Sequence, residues 1–287
     1  MARPPVLHRV ALAPIYAALV FFAALTLIPF AWMLTAALKA PQDFFSGLFL
    51  PRGDGLFGIA WNRLTLGNFL RLFREFGTAR ALVNSFFISS VTSTLATLFC
   101  AMGGYALAKF PFRGRGPITW LVLAALIVPG TLLIAPGYQI IWRLGLLGTY
   151  TGLLLPGLAP AFGLFLFRQA MLNTVPTELI DSARIDGAGE LRIFFTIVLP
   201  LVRPMIGAFL LLTFLGAWNN FIGPQVILQR PELLPLSVAN TNLKGLYADD
   251  YGLITASTLV SIAPMLCLFL LLQREFISGL TSGAVKG

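Results

Sequence analysis

Residues 173–204 read NTVPTELIDSARIDGAGELRIFFTIVLPLVRP, a polar stretch set between long apolar runs. Pro176 suits the first turn of a helix, Thr174 or Thr177 can cap it, and Glu178 and Asp181 complement the positive end of its dipole. Asp186-Gly187-Ala188-Gly189 closes that helix, with Gly187 where the chain must turn left-handed. A second helix starts near Glu190, passes through Phe194, Phe195 and Ile197, and stops at Leu199-Pro200. The spacing therefore predicts a helix-turn-helix elbow lying against a membrane surface.

The membrane follows from what flanks the elbow. Hydrophobic residues make up 57% of the 287-residue chain and charged residues 11%, against about a quarter charged in soluble domains. Apolar runs long enough to cross a bilayer, at about 20 residues each, fall at residues 10–38, 82–108, 118–142, 151–171, 205–228 and 253–272. The first run is too long for a signal-peptide core and has no small-x-small cleavage site before Lys39, so it reads as a retained helix. Six crossings put both termini on one side. The expectation is an all-α, multi-pass membrane protein, one membrane domain over residues 1–287, with a connecting loop at 173–204.

Prolines interrupt the third, fourth and sixth runs at Pro129-Gly130, Pro136-Gly137, Pro156-Gly157, Pro160 and Pro264. Lipid tolerates the freed backbone groups only where neighbouring helices or a watery cavity satisfy them, so their density favours a mobile transporter over a rigid anchor. Between the first two runs, Leu66, Phe69, Leu70, Phe73 and Phe76 recur at helical spacing with Arg71, Arg74 and Glu75 opposite. That pattern predicts a short amphipathic helix in the membrane interface. The 20 Lys and Arg split almost evenly between the two sides, so positive charge alone does not orient the chain. They form no basic block, which argues for lipid headgroups and against nucleic acid as the anionic partner.

At residues 181–200 the sequence resembles the membrane subunits of bacterial ABC importers. Their hallmark, the EAA loop, is Glu-Ala-Ala, three residues, Gly, nine residues, then Ile-x-Leu-Pro. Here Asp181-Ser182-Ala183, Gly187 and Ile197-Val198-Leu199-Pro200 match every spacing, with Asp181 for the usual glutamate and Ser182 for alanine. The resemblance extends along nearly the whole chain to maltose-type carbohydrate permeases of the smaller, six-span kind. It includes Asn84-Ser85, Tyr105-Ala106-Leu107-Ala108-Lys109, Trp218-Asn219-Asn220-Phe221 and the terminal Gly283-Ala284-Val285-Lys286-Gly287; the family commonly has an acid where this chain has Asn220. It implies a type I ABC importer permease fold in a bacterial or archaeal inner membrane, with cytoplasmic termini. It also implies a heterodimer with a second permease subunit, two copies of a cytoplasmic ATPase that bind the ATP and Mg, and an extracytoplasmic solute-binding protein. The elbow, with Glu178, Asp181, Ser182, Ala183, Asp186, Gly187, Ile197, Leu199 and Pro200, would dock the ATPase, and the five-residue tail would reach the ATPase pair.

The residues themselves agree with that division of labour. No Gly-x4-Gly-Lys-Ser/Thr phosphate loop occurs, and His8 with Cys100 and Cys267 supplies neither a metal site nor a nucleophile-base pair. No catalytic residue, metal or cofactor is therefore expected on this chain. For a solute path, Trp218, Asn219, Asn220, Tyr138 and Gln139 combine aromatic faces with amides, the usual means of holding a hydroxyl-rich ring; interhelical packing would use the same residue types. Ser85, Ser89 and Ser93, four residues apart, read as close helix packing. The competing class is an ion-coupled carrier working without an ATPase. It would need an acid or base at membrane depth, and the central thirds of the six runs hold no Asp, Glu or Lys.

Overall fold

The computed structural model describes residues 6–284. In chain order its helices are α1 (Val6–Ala37), α2 (Gly67–Glu75), α3 (Thr78–Lys109), α4 (Arg115–Ile127), α5 (Ile134–Arg143), α6 (Tyr150–Leu154) and α7 (Ala161–Thr174). There follow α8 (Thr177–Ile185), α9 (Glu190–Ile193), α10 (Leu199–Leu201), α11 (Arg203–Trp218), α12 (Ile222–Ile227), α13 (Leu236–Leu246) and α14 (Tyr251–Ala284). Among the described residues there is no strand, only two isolated bridges, Lys39 to Leu64 and Arg52 to Ile59. Among the described residues, three segments are long and apolar enough to cross a membrane unaided: Pro14–Ala37, Thr78–Lys109 and Tyr251–Leu271. Three bent helix pairs bring the number to six if each pair is one span.

Two of the breaks fall at the prolines that the sequence marks in the third and fourth runs, whereas α14 continues through Pro264. The run at 118–142 is two pieces turned through 100°, Arg115–Ile127 and Gly130–Arg143. Pro129 disfavours a helical backbone at the residue before it, and Val128 is extended at φ −76°, ψ 118°. The run at 151–171 breaks by 44° ahead of Ala161, where Pro160 lacks an N–H. The run at 205–228 also breaks: α11 ends at Trp218 and the chain resumes as the short α12.

Contacts gather the chain into two compact units. The first holds the residues up to Thr78 and Asn240–Ile262. None of the most apolar window of α1 is buried inside the fold, so that surface is left for lipid or another chain. Its C-terminal carbonyls are satisfied by a side chain: Asn68 Nδ2 donates to the carbonyls of Ala37 at 2.9 Å and Lys39 at 3.0 Å. Lys39, 1% exposed, donates from Nζ to the carbonyl oxygens of Gly47 at 2.6 Å and Phe44 at 3.3 Å, and burial pushes its ammonium pKa down. Helix α2 forms where the periodicity predicts it, but its packed side is Asn68 and Leu72, and Leu66, Leu70 and Phe73 are exposed. Leu72 joins Ala37, Leu253 and Ala256 in a small core. The exposed apolar side chains of α2 are the face that an interfacial helix offers to lipid. Arg71 pairs with Asp250 at 2.7 Å, and Asp250 caps α14 by accepting the Leu253 N–H at 3.1 Å.

The second unit holds Ala79–Ala239 and the residues from Ala263 onward. Helix α3 approaches α7 closely because glycine permits it: a Cβ at Gly104 would lie 2.8 Å from the Arg168 backbone nitrogen and 2.7 Å from Phe167 Cβ. Small residues are how membrane helices gain packing without a hydrophobic driving force. Ser85, Ser89 and Ser93 of α3 are buried as expected, and Ser85 Oγ also accepts the Leu236 N–H at 2.7 Å. Cys100 is buried and Cys267 exposed, both free.

Candidate functional site

The elbow is built from α8, the turn at 186–189, α9 and the turns after it. Pro176 precedes α8, Glu178 sits in its first turn, and neither Thr174 nor Thr177 caps it; Thr177 Oγ1 instead accepts from Lys109 Nζ at 3.3 Å. Its C-terminus closes as a Schellman motif. Gly187, at φ +80°, donates its N–H to the Arg184 carbonyl at 3.0 Å, and Ala188 donates to the Ala183 carbonyl at 2.9 Å. The second helix runs past Leu199-Pro200 to Leu201, and the chain bends by 84° only at Val202, later than the sequence predicts. A π turn over Phe194–Val198 precedes the proline. The wider turn absorbs the clash between the proline ring and the preceding carbonyls, which lets the helix continue.

One face of the elbow is core. Ile180, Ala183, Ile193, Phe194 and Val198 are buried in a cluster with Tyr105, Phe167, Met171 and Phe209. Burying each of the larger side chains contributes about 1.5–3 kcal/mol. The opposite face is exposed and carries Leu179, Ile185, Leu191 and Phe195 beside Glu178, Asp181 and Asp186. Ser182 faces outward and donates to the Glu178 carbonyl at 2.7 Å. Leu199 and Ile197 are half-buried and pack on the same cluster, and Pro200 is exposed.

An ion-pair lock that the sequence reading missed joins this elbow to α3. Arg184 Nε donates to Glu190 Oε1 at 2.6 Å, Arg184 also pairs with Asp181 at 3.1 Å, and Tyr105 OH donates to Glu190 Oε2 at 3.1 Å. The Arg184 guanidinium lies 5.7 Å over the Phe110 ring. The hydrogen bond from Arg184, then that from Tyr105, holds the Glu190 carboxyl below its ordinary value despite partial desolvation.

The residues proposed for a solute path do not converge. A cavity of about 600 Å³ opens between α3, α5, α6, α7, α11 and α12. Tyr138 and Asn220 line it, with Thr92 and Thr213 as further polar groups among mostly apolar walls. Trp218 does not line it; it is buried against Phe86 at 5.1 Å and Phe214 at 5.9 Å. Asn219 and Gln139 are exposed, outside the cavity, and Asn219 Nδ2 bonds the Leu215 carbonyl at 3.0 Å. Asn220 Oδ1 accepts the Gly223 N–H at 3.1 Å. Of the tail, Gly283 and Ala284 end α14, and Val285, Lys286 and Gly287 lie outside the described residues. No cluster of metal-ligating side chains occurs among the described residues.

Residues 93–274 match the family model described as binding-protein-dependent transport system inner membrane component. The chain belongs to that family. The permease is 41% identical over 225 residues to the arabinooligosaccharides transport system permease protein AraQ of Halalkalibacterium halodurans, covering 78% of this chain and 80% of the relative. It is 33% identical to the melibiose/raffinose/stachyose import permease protein MelC of Bacillus subtilis, with 91% of each chain covered. It is 31% identical to the lactose transport system permease protein LacG of Rhizobium radiobacter, covering 94% of this chain and 95% of that one. Among solved structures, a chain of a bacterial ABC transporter that imports the acidic polysaccharide alginate superposes with a TM-score of 0.77 at 20% identity, covering 96% of the permease and 100% of that chain. That likeness shows the ABC importer permease fold. The family membership sets aside an ion-coupled carrier acting without an ATPase, and the relatives are permease subunits rather than enzymes.

Proposed function

We propose that the permease works as one membrane domain over residues 1–287 and carries a sugar or related polyhydroxylated solute by alternating access, as one half of a heterodimer with a second permease subunit. Two copies of a cytoplasmic ATPase bind the ATP and Mg, an extracytoplasmic binding protein delivers the solute, and both termini face the cytoplasm. The sugar assignment draws on the relatives, whose names specify arabinooligosaccharides, melibiose and lactose.

The observation that carries the coupling role is the two-faced elbow. Its inner side chains are locked into the helical core, while Leu179, Ile185, Leu191 and Phe195 stand exposed beside Glu178, Asp181 and Asp186. A rigid element of that composition suits a groove on another protein and transmits a rigid-body displacement without chemistry of its own. Tyr138 and Asn220, with Thr92 and Thr213, are the groups offered to a solute in the cavity. The tail from Gly283 to Gly287 is assigned to contact with the same ATPase pair.

The test is reconstitution of the chain with its second permease, ATPase and binding protein. ATP hydrolysis and sugar uptake should require the complete assembly, and Asp181→Lys should leave insertion intact and reduce both. ATP turnover by this chain alone, or full coupling in the charge-reversed variant, would overturn the reading.

A further inference from the structure

The segment after α1 folds back along its own helix. Trp32 lies five residues, about 7.5 Å, before the end of α1, and Phe44 packs edge-on against it with ring centroids 5.9 Å apart. Lys39, bonded to the carbonyls of Phe44 and Gly47, ties the segment down. Trp32, Phe44, Phe45, Leu48 and Arg52 wall a cleft of about 420 Å³. Outside the cleft the surface stays apolar: Phe45 is 80% exposed and Leu48 75%.

Beyond it the Arg52 to Ile59 bridge forms a small hairpin whose tip presents Leu56 and Phe57, 71% and 84% exposed. Phe57 holds φ +61°, the one positive value outside glycine among the described residues. A side chain is disfavoured there, and the strained backbone turns an aromatic ring outward, where water offers it no gain. Trp61, half exposed, anchors to the tip by donating Nε1–H to the Leu56 carbonyl at 3.1 Å. Aromatic and leucine side chains beside an arginine are the composition of a bilayer interface. Arg52 has no carboxylate within ion-pairing distance among the described residues. The apolar window of α1, left unburied by the fold, continues the same surface at the depth of Trp32.

We propose that residues 44–61 form an interfacial anchor seated in the bilayer leaflet at the C-terminal end of α1. Phe45, Leu48, Leu56 and Phe57 dip toward the acyl chains, and Arg52 meets the lipid phosphates. The anchor needs α1 to cross the bilayer but is independent of ATPase coupling, so it can fail while sugar transport stands.

The test uses the chain with Cys267→Ala, leaving buried Cys100 unlabelled, and a spin label on Phe57→Cys. It is reconstituted in vesicles of phosphatidylethanolamine and phosphatidylglycerol. The label should collide more with oxygen than with a water-soluble nickel complex, at a depth of about 5–10 Å. A label open to nickel overturns the anchor, as does protection that appears only when the binding protein is added, since the occupant is then a protein. A second measurement leaves Phe57 in place: brominated lipid should quench a tryptophan signal that Trp61→Phe removes. Equal quenching in the two chains also overturns the anchor.

Discussion

Gly187→Val tests the elbow most directly. Nothing lies within 4 Å of a Cβ built at Gly187, so the substitution meets no steric obstacle and its whole cost is the backbone at φ +80°. A left-handed backbone costs a residue with a Cβ about 1–2 kcal/mol, which shifts a local opening equilibrium about 5–30-fold. The two amides that close the Schellman motif, Gly187 and Ala188, should lose hydrogen-exchange protection by that factor. Protection elsewhere in the helical core should hold. Membrane insertion should be normal, and coupled ATP hydrolysis and uptake should fall sharply, because a groove fits one shape of the turn. Gly187→Asn, which tolerates the left-handed region, should retain most activity. Unchanged exchange at both amides in the valine variant would refute the reasoning, and so would an equal loss of uptake with asparagine.

Gly104→Leu places a side chain against the Arg168 backbone and Phe167, so α3 should separate from α7 and the thermal midpoint in detergent should drop by several degrees or the chain fail to accumulate. Glu190→Gln removes the charge and one of the two carboxylate oxygens that accept from Arg184 and Tyr105. Because the folded-state carboxyl is depressed, the lock is intact above the ordinary value of 4.5 and is lost as pH falls through the lower value; the wild-type chain should show that acid loosening by hydrogen exchange at the elbow, and the glutamine variant should not. Gly137→Val adds bulk at a cavity-lining position where a Cβ meets nothing within 4 Å, so the fold should survive while uptake falls. Lys39→Met strips the donor from the carbonyls of Phe44 and Gly47, and protease cleavage within residues 40–66 should accelerate.

The elbow was legible because it is punctuated. A polar stretch between apolar runs, Pro176 at its entry and Gly187 at its turn, left one arrangement that fits. The lock was not legible, since Glu190 takes its partners from Arg184, six residues away, and Tyr105, 85 residues away, and no local rule pairs them. Pro129 announces a break in α4 and α5, but the 100° turn depends on what the two pieces pack against. Trp218-Asn219-Asn220 read as a sugar-binding cluster by residue type alone. The backbone instead turns Trp218 into the Phe86 and Phe214 rings, and only Asn220 reaches the cavity. For α2 the periodicity located the helix, but the side it buries is chosen by the end of α1 and the start of α14, where Asn68 and Leu72 find partners.

Helix α3 touches both the lock and the cavity: Tyr105 bonds Glu190 near one end, and Thr92 lines the chamber. Thirteen residues separate the two, about 20 Å along the axis. A rod of that length pivoting through about 10° sweeps its far point by about 3.5 Å, more than the width of a water molecule. Under the coupling proposed for the elbow, a small tilt delivered there would be geared up into an opening or closing of the chamber wall, with the fit of Gly104 against α7 as the fulcrum.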